Sequence, residues 1–219
     1  MAQSTAPPLQ SVSRPKQARS ERTLQSILEA AEELIEEKGL ADSSIPEIVR
    51  RAGSSVGGFY ARFKDKNELL SAIEERFFRD MSALVDQLAD GQRWSDTGLP
   101  AIVQVCASEL VRIARQRRNL IAAFLQRATD DPATRADALR FRASVSERIG
   151  RLVLSRSERI THPQPEIAVD LGVQFAFALM LHLVLMGEVR AAGRVLSDEE
   201  LATEISRNFL SYVAPQESS

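Results

Sequence analysis

The sequence predicts an all-α protein, and two observations carry that prediction. Apolar residues recur along the chain at the three- and four-residue spacing of amphipathic helices, and nothing alternates as a β-strand does. The 219 residues include only 10 glycines and 9 prolines, which is few for a β sandwich with its many turns. With 44% hydrophobic and 26% charged residues, the composition is that of an ordinary globular protein.

Four helices are predicted in the first third of the chain. An apolar face over residues 24–35 marks the first helix, and Gly39 supplies its left-handed stop. The second helix is very short: Ser44 and Glu47 are expected to form a capping box at its start, and Gly53 ends it. A third short helix follows the turn, and a long fourth helix comes after it.

Further helices are predicted in the rest of the chain, separated by linkers, prolines and capping patterns. These signals fall at residues 90–100, 117–119, 131–132, 162–165 and 197–200.

The sequence predicts neither secretion nor a membrane span. Residues 1–19 are expected to be a disordered basic arm without the apolar core of a signal peptide, and residues 215–219 a disordered tail. The most apolar stretch, Phe175–Met186, is about half the length of a membrane span, and we interpret it as a buried helix. The single cysteine, Cys106, excludes an intrachain disulfide and suits a reducing cytoplasm. No metal or other cofactor is expected.

Two short helices joined by a tight turn, with longer helices on both sides, are the parts of a helix-turn-helix DNA-binding module. Ile48 and Val49 would pack the first short helix on its neighbours, and Gly53 tolerates a positive φ at the turn. Phe59 would anchor the second short helix, leaving its opposite face free to enter the major groove. The small residues over 54–58 would let the backbone approach the duplex closely.

Residues 21–70 resemble the N-terminal DNA-binding domain of the tetracycline-repressor (TetR) family of bacterial transcriptional regulators. Val49 and Ser54 depart from the family's usual residues, and the remainder of the chain agrees with the family only in length and helical character. The matching motifs, in their family order and spacing, are Ile27-Leu28-Glu29-Ala30-Ala31, Glu37-Lys38-Gly39, Ser44-Ile45-Pro46-Glu47-Ile48, Arg51-Ala52-Gly53, Gly57-Gly58-Phe59-Tyr60 and Phe63-Lys64-Asp65-Lys66-Asn67-Glu68-Leu69-Leu70.

The resemblance implies DNA-contacting roles for matching positions. Tyr60 and Lys66 correspond to the family's phosphate-contacting tyrosine and lysine, and Ser44 to the residue that meets the DNA backbone from the first short helix. For Tyr60 the alternative is a packing role, and for Lys66 simple solvation. The start and the end of the recognition helix supply the other candidates, Ser55, Val56, Gly57 and Arg62.

The resemblance also divides the chain into domains. Residues 20–66 would be the DNA-binding domain, with the helix-turn-helix at about 44–63, and residues 67–214 a helical ligand-binding and dimerisation domain. Such a protein would bind a pseudo-palindromic double-stranded DNA operator as a homodimer and release it when an apolar or amphipathic small molecule binds. The candidate pocket residues, for which ordinary core packing is the alternative, are Trp94, Phe124, Phe141, Phe175, Phe177, Met180 and His182.

An enzyme is not expected. The only two histidines, His162 and His182, lie in a proline-rich loop and an apolar helix, and the chain has no nucleophile elbow, phosphate loop or zinc-protease motif. The remaining alternative is an all-helical small-molecule-binding or protein-interaction module without DNA-binding activity.

The net charge of −2 conceals an alternation of charge along the chain. Residues 1–27 carry a net charge of +3, residues 28–49 of −6, residues 50–66 of +4 and residues 67–219 of −3. The two basic blocks fall where the helix-turn-helix prediction would place phosphate, so the overall balance does not exclude DNA as a partner.

Overall fold

A computed structural model describes residues 14–156 and 160–214, which form helices apart from one short hairpin. In chain order the elements are α1 Arg14–Asp42, α2 Ile45–Arg51, α3 Val56–Tyr60, α4 Lys66–Ala89, a 3-10 turn Gly91–Trp94, α5 Leu99–Gln116, α6 Arg118–Asp130, α7 Pro132–Leu154, α8 Pro165–Met186, β1 Arg190–Ala191, β2 Arg194–Val195 and α9 Asp198–Val213. The predicted all-α class is thereby confirmed.

The chain divides into two compact units, Met1–Ile73 and Glu74–Ser219. The sequence-based boundary lies between residues 66 and 67, at the start of α4. The structural division falls about two turns further along, because the first turns of α4 belong to the apolar core of the first unit through Leu69, Leu70 and Ile73.

The first unit consists of α1, α2, α3 and the start of α4. Gly39 has φ 86° and ψ 165°, which kinks α1 before its last residues. Gly53 has φ 60° at the turn between α2 and α3. Both glycines therefore take the left-handed conformation that the sequence predicts for them, and both chain reversals depend on it.

The second unit packs α5, α8 and α9 against one another, with α6 and α7 alongside. One cluster of buried side chains joins α5 to α9 through Val111 and Ile205, and another joins α8 to α9 through Val173 and Phe209. Gly172 makes the second contact possible, because a Cβ there would lie 2.6 Å from the Phe209 ring. The apolar faces of these helices account for the core of this unit.

The predicted helix starts at α7 and α9 are confirmed. Asp131 accepts hydrogen bonds from the backbone N–H groups of Ala133 and Thr134, and Pro132 occupies the first turn of α7. Ser197 and Glu200 form a reciprocal capping box at the start of α9. Each cap satisfies N–H groups that have no partner within their helix.

Helix α8 is more exposed than the sequence predicts. It has 22 residues, and an 18-residue window within it has a mean hydropathy of 1.9, so by length and composition alone it is apolar enough to cross a membrane. The core helix of a globular protein meets the same criterion. The length argument against a span is therefore wrong. One side of α8 packs into the core of the second unit through Val169 and Leu183, whereas Ile167 and Met186 are more than half exposed. The interpretation as a buried helix therefore holds for one side of α8 only.

Two further predictions need correction. The disordered arm expected over residues 1–19 is helical from Arg14, because residues 16–19 are good helix formers and Pro15 is tolerated in the first turn of α1. Residues 1–13, and the tail expected at 215–219, lie outside the described residues. A two-residue strand pair links α8 to α9, turning at Ala192 and Gly193 with positive φ. These strands are too short to produce an alternating pattern in the sequence.

Candidate functional site

Helix α3 presents one exposed face above a single buried anchor. The Phe59 side chain is completely buried, and the Tyr60 ring packs edge-on against it at 5.3 Å while remaining 55% exposed. Val56 is 46% exposed at the start of the helix, and Gly57 is also exposed. Because one aromatic side chain fixes the helix, its other face is available to a partner.

The start of α3 is stabilised by its own cap. The Ser55 hydroxyl accepts a hydrogen bond from the Gly58 N–H at 3.0 Å. Its proton can still be donated, so Ser55 can cap the helix and contact a second acceptor at once. The turn before it is closed by the Ser54 N–H, which donates to the Val49 carbonyl at 2.8 Å.

The predicted capping box at α2 is not formed. Ser44 is the N-cap residue by backbone geometry, but within the described part of the chain its side chain makes no capping hydrogen bond. The Glu47 carboxylate instead pairs with Lys38, whose hydrogen bond lowers the pKa of that carboxyl group. The carboxylate is drawn away from the backbone by a cation on α1, and the Ser44 side chain remains exposed.

Three cations of the basic block 50–66 are bound within the first unit. Arg51 forms a two-pronged pair with the Glu37 carboxylate, with Nη2–Oε2 at 2.8 Å. Arg62 donates to the Gly58 carbonyl at 2.8 Å and to Ser20 on α1, with Nη2–Oγ at 3.1 Å. These guanidinium groups connect α1 to α2 and to the end of α3, so both have structural roles that the sequence does not predict.

Lys66 is the third such cation. Its ammonium group donates to the Leu40 carbonyl beyond the kink of α1. Burial lowers the pKa of Lys66, and nearby Lys38 adds to the effect while Asp42 opposes it. Lys66 thus holds the end of α1 against the start of α4.

The two remaining cations of the block are exposed. The Arg50 side chain is 80% exposed, with its nearest carboxylate, that of Glu47, at 3.9 Å. Lys64 is exposed next to α3, and its side chain has no bonding partner among the residues that the structure describes, whereas its backbone N–H donates to Glu68. The sequence analysis did not single out Arg50 or Lys64. The available signal was their position in the basic block, without a residue pattern to separate them from the bound cations.

The second unit contains a partly open cavity of about 660 Å³ whose wall is almost entirely apolar. Side chains from all six helices α4 to α9 line it. Phe78 of α4 stacks on Phe141 of α7, with ring centroids 4.8 Å apart and planes at 20°, and Phe77 packs against Phe124 of α6 at 5.5 Å. This volume lies within the range of about 300–1,000 Å³ typical of small-molecule sites.

Five of the seven predicted pocket residues lie on the wall of this cavity: Phe124, Phe141, Phe175, Phe177 and Met180. Their contact with a ligand stays a prediction.

The other two predicted pocket residues lie elsewhere. Trp94 is buried beside Leu88, where its indole N–H donates to the Leu88 carbonyl at 2.8 Å, and His182 is exposed on α8. Neither is part of the cavity wall. The prediction is corrected for both, because an aromatic or polar residue in an apolar segment does not reveal which side of its helix it occupies.

Cys106 of α5 also lines the cavity. Burial raises the pKa of its thiol to about 11. The thiol is therefore protonated at neutral pH, which agrees with the sequence-based interpretation of a packed residue.

Comparison with known proteins places these features in a family. Residues 27–73 match the model of the bacterial regulatory proteins of the tetR family. The uncharacterized HTH-type transcriptional regulator YvdT of Bacillus subtilis (strain 168) is 34% identical over 97 residues, 44% of this chain and 48% of that protein. The alignment thus spans about half of that relative's length.

Solved structures extend the fold comparison over most of the chain. A tetR-family regulator from Mesorhizobium loti MAFF303099 superposes with a TM-score of 0.65 at 20% identity, covering 88% of this chain and 97% of that one. NalD, the secondary repressor of the MexAB-OprM multidrug efflux pump in Pseudomonas aeruginosa, superposes with a TM-score of 0.61 at 19% identity, covering 90% and 98%. The helix-turn-helix of α2 and α3, the family match over it and the all-helical fold agree, and residues 27–73 form a DNA-binding domain of the tetR family of bacterial regulatory proteins.

Proposed function

We propose that this protein is a transcriptional repressor that binds a pseudo-palindromic operator as a homodimer and leaves it when a small molecule enters the cavity of the second unit. The observation that carries the proposal is the exposed face of α3 above the buried Phe59. The tetR family consists of transcriptional regulators, not of enzymes. NalD, which shares the fold, is named a repressor.

The DNA-binding part of the proposal rests on groups that remain available for contact. The exposed Ser44 and Tyr60 side chains can donate to phosphate oxygens, and the exposed cations Arg50 and Lys64 can neutralise phosphate charge. Val56 and Gly57 present an apolar, low-profile surface that suits contact with thymine methyl groups and readout of groove shape. Chromosomal DNA as the target implies a cytoplasmic location.

The dimer and the ligand rest on the second unit. Helix α8 exposes large apolar side chains that a second copy can cover, and a two-fold dimer presents two α3 helices to successive half-sites. Helix α4 carries Lys66 at its start and cavity-lining Phe77, Phe78 and Met81 further along. A ligand that displaces these turns of α4 acts on the same helix that begins in the DNA-binding unit.

A titration with DNA from upstream of the protein's own gene tests this function. We expect a specific mobility shift at low salt that weakens as salt rises, because binding releases counterions from phosphate. Lys64→Ala should reduce the slope of log K against log[salt] by about 1 without changing stability. Lys66→Ala should lower the free energy of unfolding as well, because it removes the bond to Leu40.

The alternative, a helical binding module without DNA-binding activity, is decided by the same titration. A folded dimer that shifts no DNA at low salt would establish the alternative and overturn the regulator. Binding that does not weaken with salt would overturn the phosphate contacts.

A further inference from the structure

The polar residues at the cavity wall restrict the chemistry of a ligand more than the apolar residues do. Apart from Gln174, the polar side chains that line the main cavity are Glu109, Arg135 and Arg142. Glu109 is paired with Arg112, whose Nη2 lies 2.6 Å from the carboxylate. The wall therefore carries one carboxylate that is already in an ion pair, that of Glu109, and two arginines.

Neither arginine is matched by an anion. Arg135 donates to the carbonyls of Ala128 and Thr129 at 2.9 Å, which satisfies two of its donors but leaves its charge uncompensated. Among the residues that the structure describes, none forms a hydrogen bond or an ion pair with the Arg142 guanidinium. Two positive charges thus border an apolar cavity without a neighbouring carboxylate at ion-pair distance.

The two arginines lie on the same side of α7. They are seven residues apart, or about two helical turns and 10 Å along the axis, so Arg135, Leu139 and Arg142 share one face. Leu139 is 50% exposed and also lines the cavity, whereas Val145 further along the wall is buried. The charged groups therefore mark the solvent side of the cavity, and the apolar wall lies behind them.

One carboxylate lies near this edge. Asp170 lines a smaller recess of about 240 Å³ together with Arg142, and it accepts hydrogen bonds from Ser146 and from Gln174, the latter at 2.8 Å. Its oxygens are engaged by neutral donors and it is not on the wall of the main cavity. The charge facing the main cavity remains positive.

We infer that the cavity binds an amphipathic anion, with an extended apolar body against the aromatic wall and a carboxylate or similar acidic group at Arg142, assisted by Arg135. This inference rests on the proposed ligand site and narrows the expected apolar or amphipathic effector to one charge type. Within the described part of the chain the Arg142 guanidinium has no partner, so its donors are available for a two-pronged contact with a carboxylate. The body contributes affinity by burial, and the head group sets specificity.

Calorimetric titration of the full-length protein with three probes of equal chain length tests the charge. We expect decanoate to bind more tightly than 1-decanol, and decyltrimethylammonium to bind more weakly than either. Arg142→Gln should weaken decanoate binding about fivefold, the loss of one partly solvated ion pair, and leave decanol binding unchanged. Arg151→Gln is the matched control, because it removes an exposed cation from α7 away from the cavity wall and should change neither.

A blocking variant ties the binding to the cavity. Ala138 lines the wall and is half-buried, so Ala138→Trp should abolish decanoate binding while the protein remains folded by circular dichroism. Tighter binding of the alcohol or the cation, or decanoate binding unaffected by Arg142→Gln or by Ala138→Trp, would overturn the anion site.

The same protein in a mobility-shift assay separates this inference from the proposed function. Decanoate binding that leaves the operator complex intact supports the anion site and overturns ligand-controlled release. Release of DNA by decanol or decyltrimethylammonium, without preference for decanoate, supports the regulator and overturns the anion site.

Discussion

Gly57 and Gly58 are neighbours in α3, but a side chain would meet different surroundings at the two positions. A Cβ at Gly58 would lie 2.9 Å from the Ser54 hydroxyl oxygen and 3.3 Å from that of Ser55, which caps the helix. A Cβ at Gly57 would have no neighbour closer than the Ser55 oxygen at 4.0 Å. Contacts within the protein therefore account for the glycine at position 58. At position 57 the protein has room for a side chain, so the glycine there is explained by close approach of a partner outside the chain.

Replacing these glycines distinguishes folding from DNA contact. Gly57→Ala should raise the free energy of unfolding by up to about 1 kcal/mol through helix propensity, yet weaken operator binding because the methyl group intrudes at the groove. Gly58→Ala, the matched control, should gain less stability or lose some, because the Ser54 and Ser55 hydroxyl groups must shift. Urea unfolding and fluorescence anisotropy with labelled operator measure the two effects. Undiminished affinity in Gly57→Ala would show that α3 does not approach the duplex there.

For single residues, the sequence predicts which side chains are buried or exposed better than it predicts their hydrogen-bond partners. Tyr60 and Phe59 differ in exposure as the motif implies, because neighbouring residues on a short helix point to different sides. Arg62 and Lys66, in contrast, are engaged by Ser20 and Leu40, partners 42 and 26 residues away that include backbone carbonyls. Since any residue type supplies such a carbonyl, no residue pattern could have revealed these bonds.

At the scale of elements, one buried ion pair joins α4 to α6. Arg127 Nη1 lies 2.7 Å from Glu74 Oε2, with the two side chains 18% and 8% exposed. The other carboxylate oxygen, Oε1, is buried and has no hydrogen-bond partner among the described residues. Burial raises the pKa of Glu74; Arg127 opposes that rise, while Asp137 and Asp131 add to it. Arg127 therefore stabilises the ionised Glu74 carboxylate at a buried position where desolvation disfavours its charge.

Removing the cation should make stability depend on pH. Arg127→Met leaves the Glu74 carboxylate buried without its cation and should cost about 3 kcal/mol at pH 7.5. Its pKa in the folded state then lies further above the value of about 4.5 in the unfolded chain. The folded state binds the extra proton in that window, so the free energy of unfolding falls as pH rises through it. Urea unfolding should accordingly show a smaller loss at pH 5 than at pH 7.5.

A double variant supplies the control for this effect. In Glu74→Gln combined with Arg127→Met the buried carboxyl group no longer titrates, so the difference between the stability losses at the two pH values should disappear. An equal loss at pH 5 and pH 7.5 in the single variant would show that the carboxylate does not limit stability.

Element starts are predictable where the cap is local. Asp131 and Ser197 bond to N–H groups two or three residues away, so adjacent sequence suffices to predict them. At Ser44 the expected box fails because Lys38 on another helix captures the Glu47 carboxylate. The strands between α8 and α9 are missed for a different reason, since two residues contain less than one full alternation.

At the scale of the whole molecule, the exposed apolar side of α8 predicts association. Ile167, Leu185 and Met186 are 51%, 55% and 63% exposed, at both ends of the helix. Leu185→Glu should convert the dimer to a monomer, because burying a charge in an apolar contact is costly. It should also weaken operator binding, because the two α3 helices then no longer bind the DNA as one unit. Ala83→Glu on α4 introduces the same charge at an exposed site off α8 and serves as control. Light scattering after size exclusion measures the mass; a Leu185→Glu dimer would contradict this interface.

The sequence predicts a DNA-binding unit followed by a larger helical unit, but it predicts the residues of the cavity wall only in part. The helix-turn-helix is a local arrangement of about twenty residues, and its spacing is sufficient to predict it. The cavity brings together residues of six helices spread from Phe77 to Phe209. Helical periodicity gives one apolar face for each helix but not the rotation that decides which part of the face borders empty space.

Alkylation of Cys106 can be used to measure how accessible the cavity of the second unit is. It is the only cysteine of the chain and lines the cavity, and burial raises the pKa of its thiol to about 11. Since alkylation requires the thiolate, only about one molecule in a thousand is reactive at pH 8, and modification should be slow. The rate of that single reaction, read by mass spectrometry on the unlabelled native protein, then reports how often the cavity admits a reagent and whether a bound molecule already occupies it.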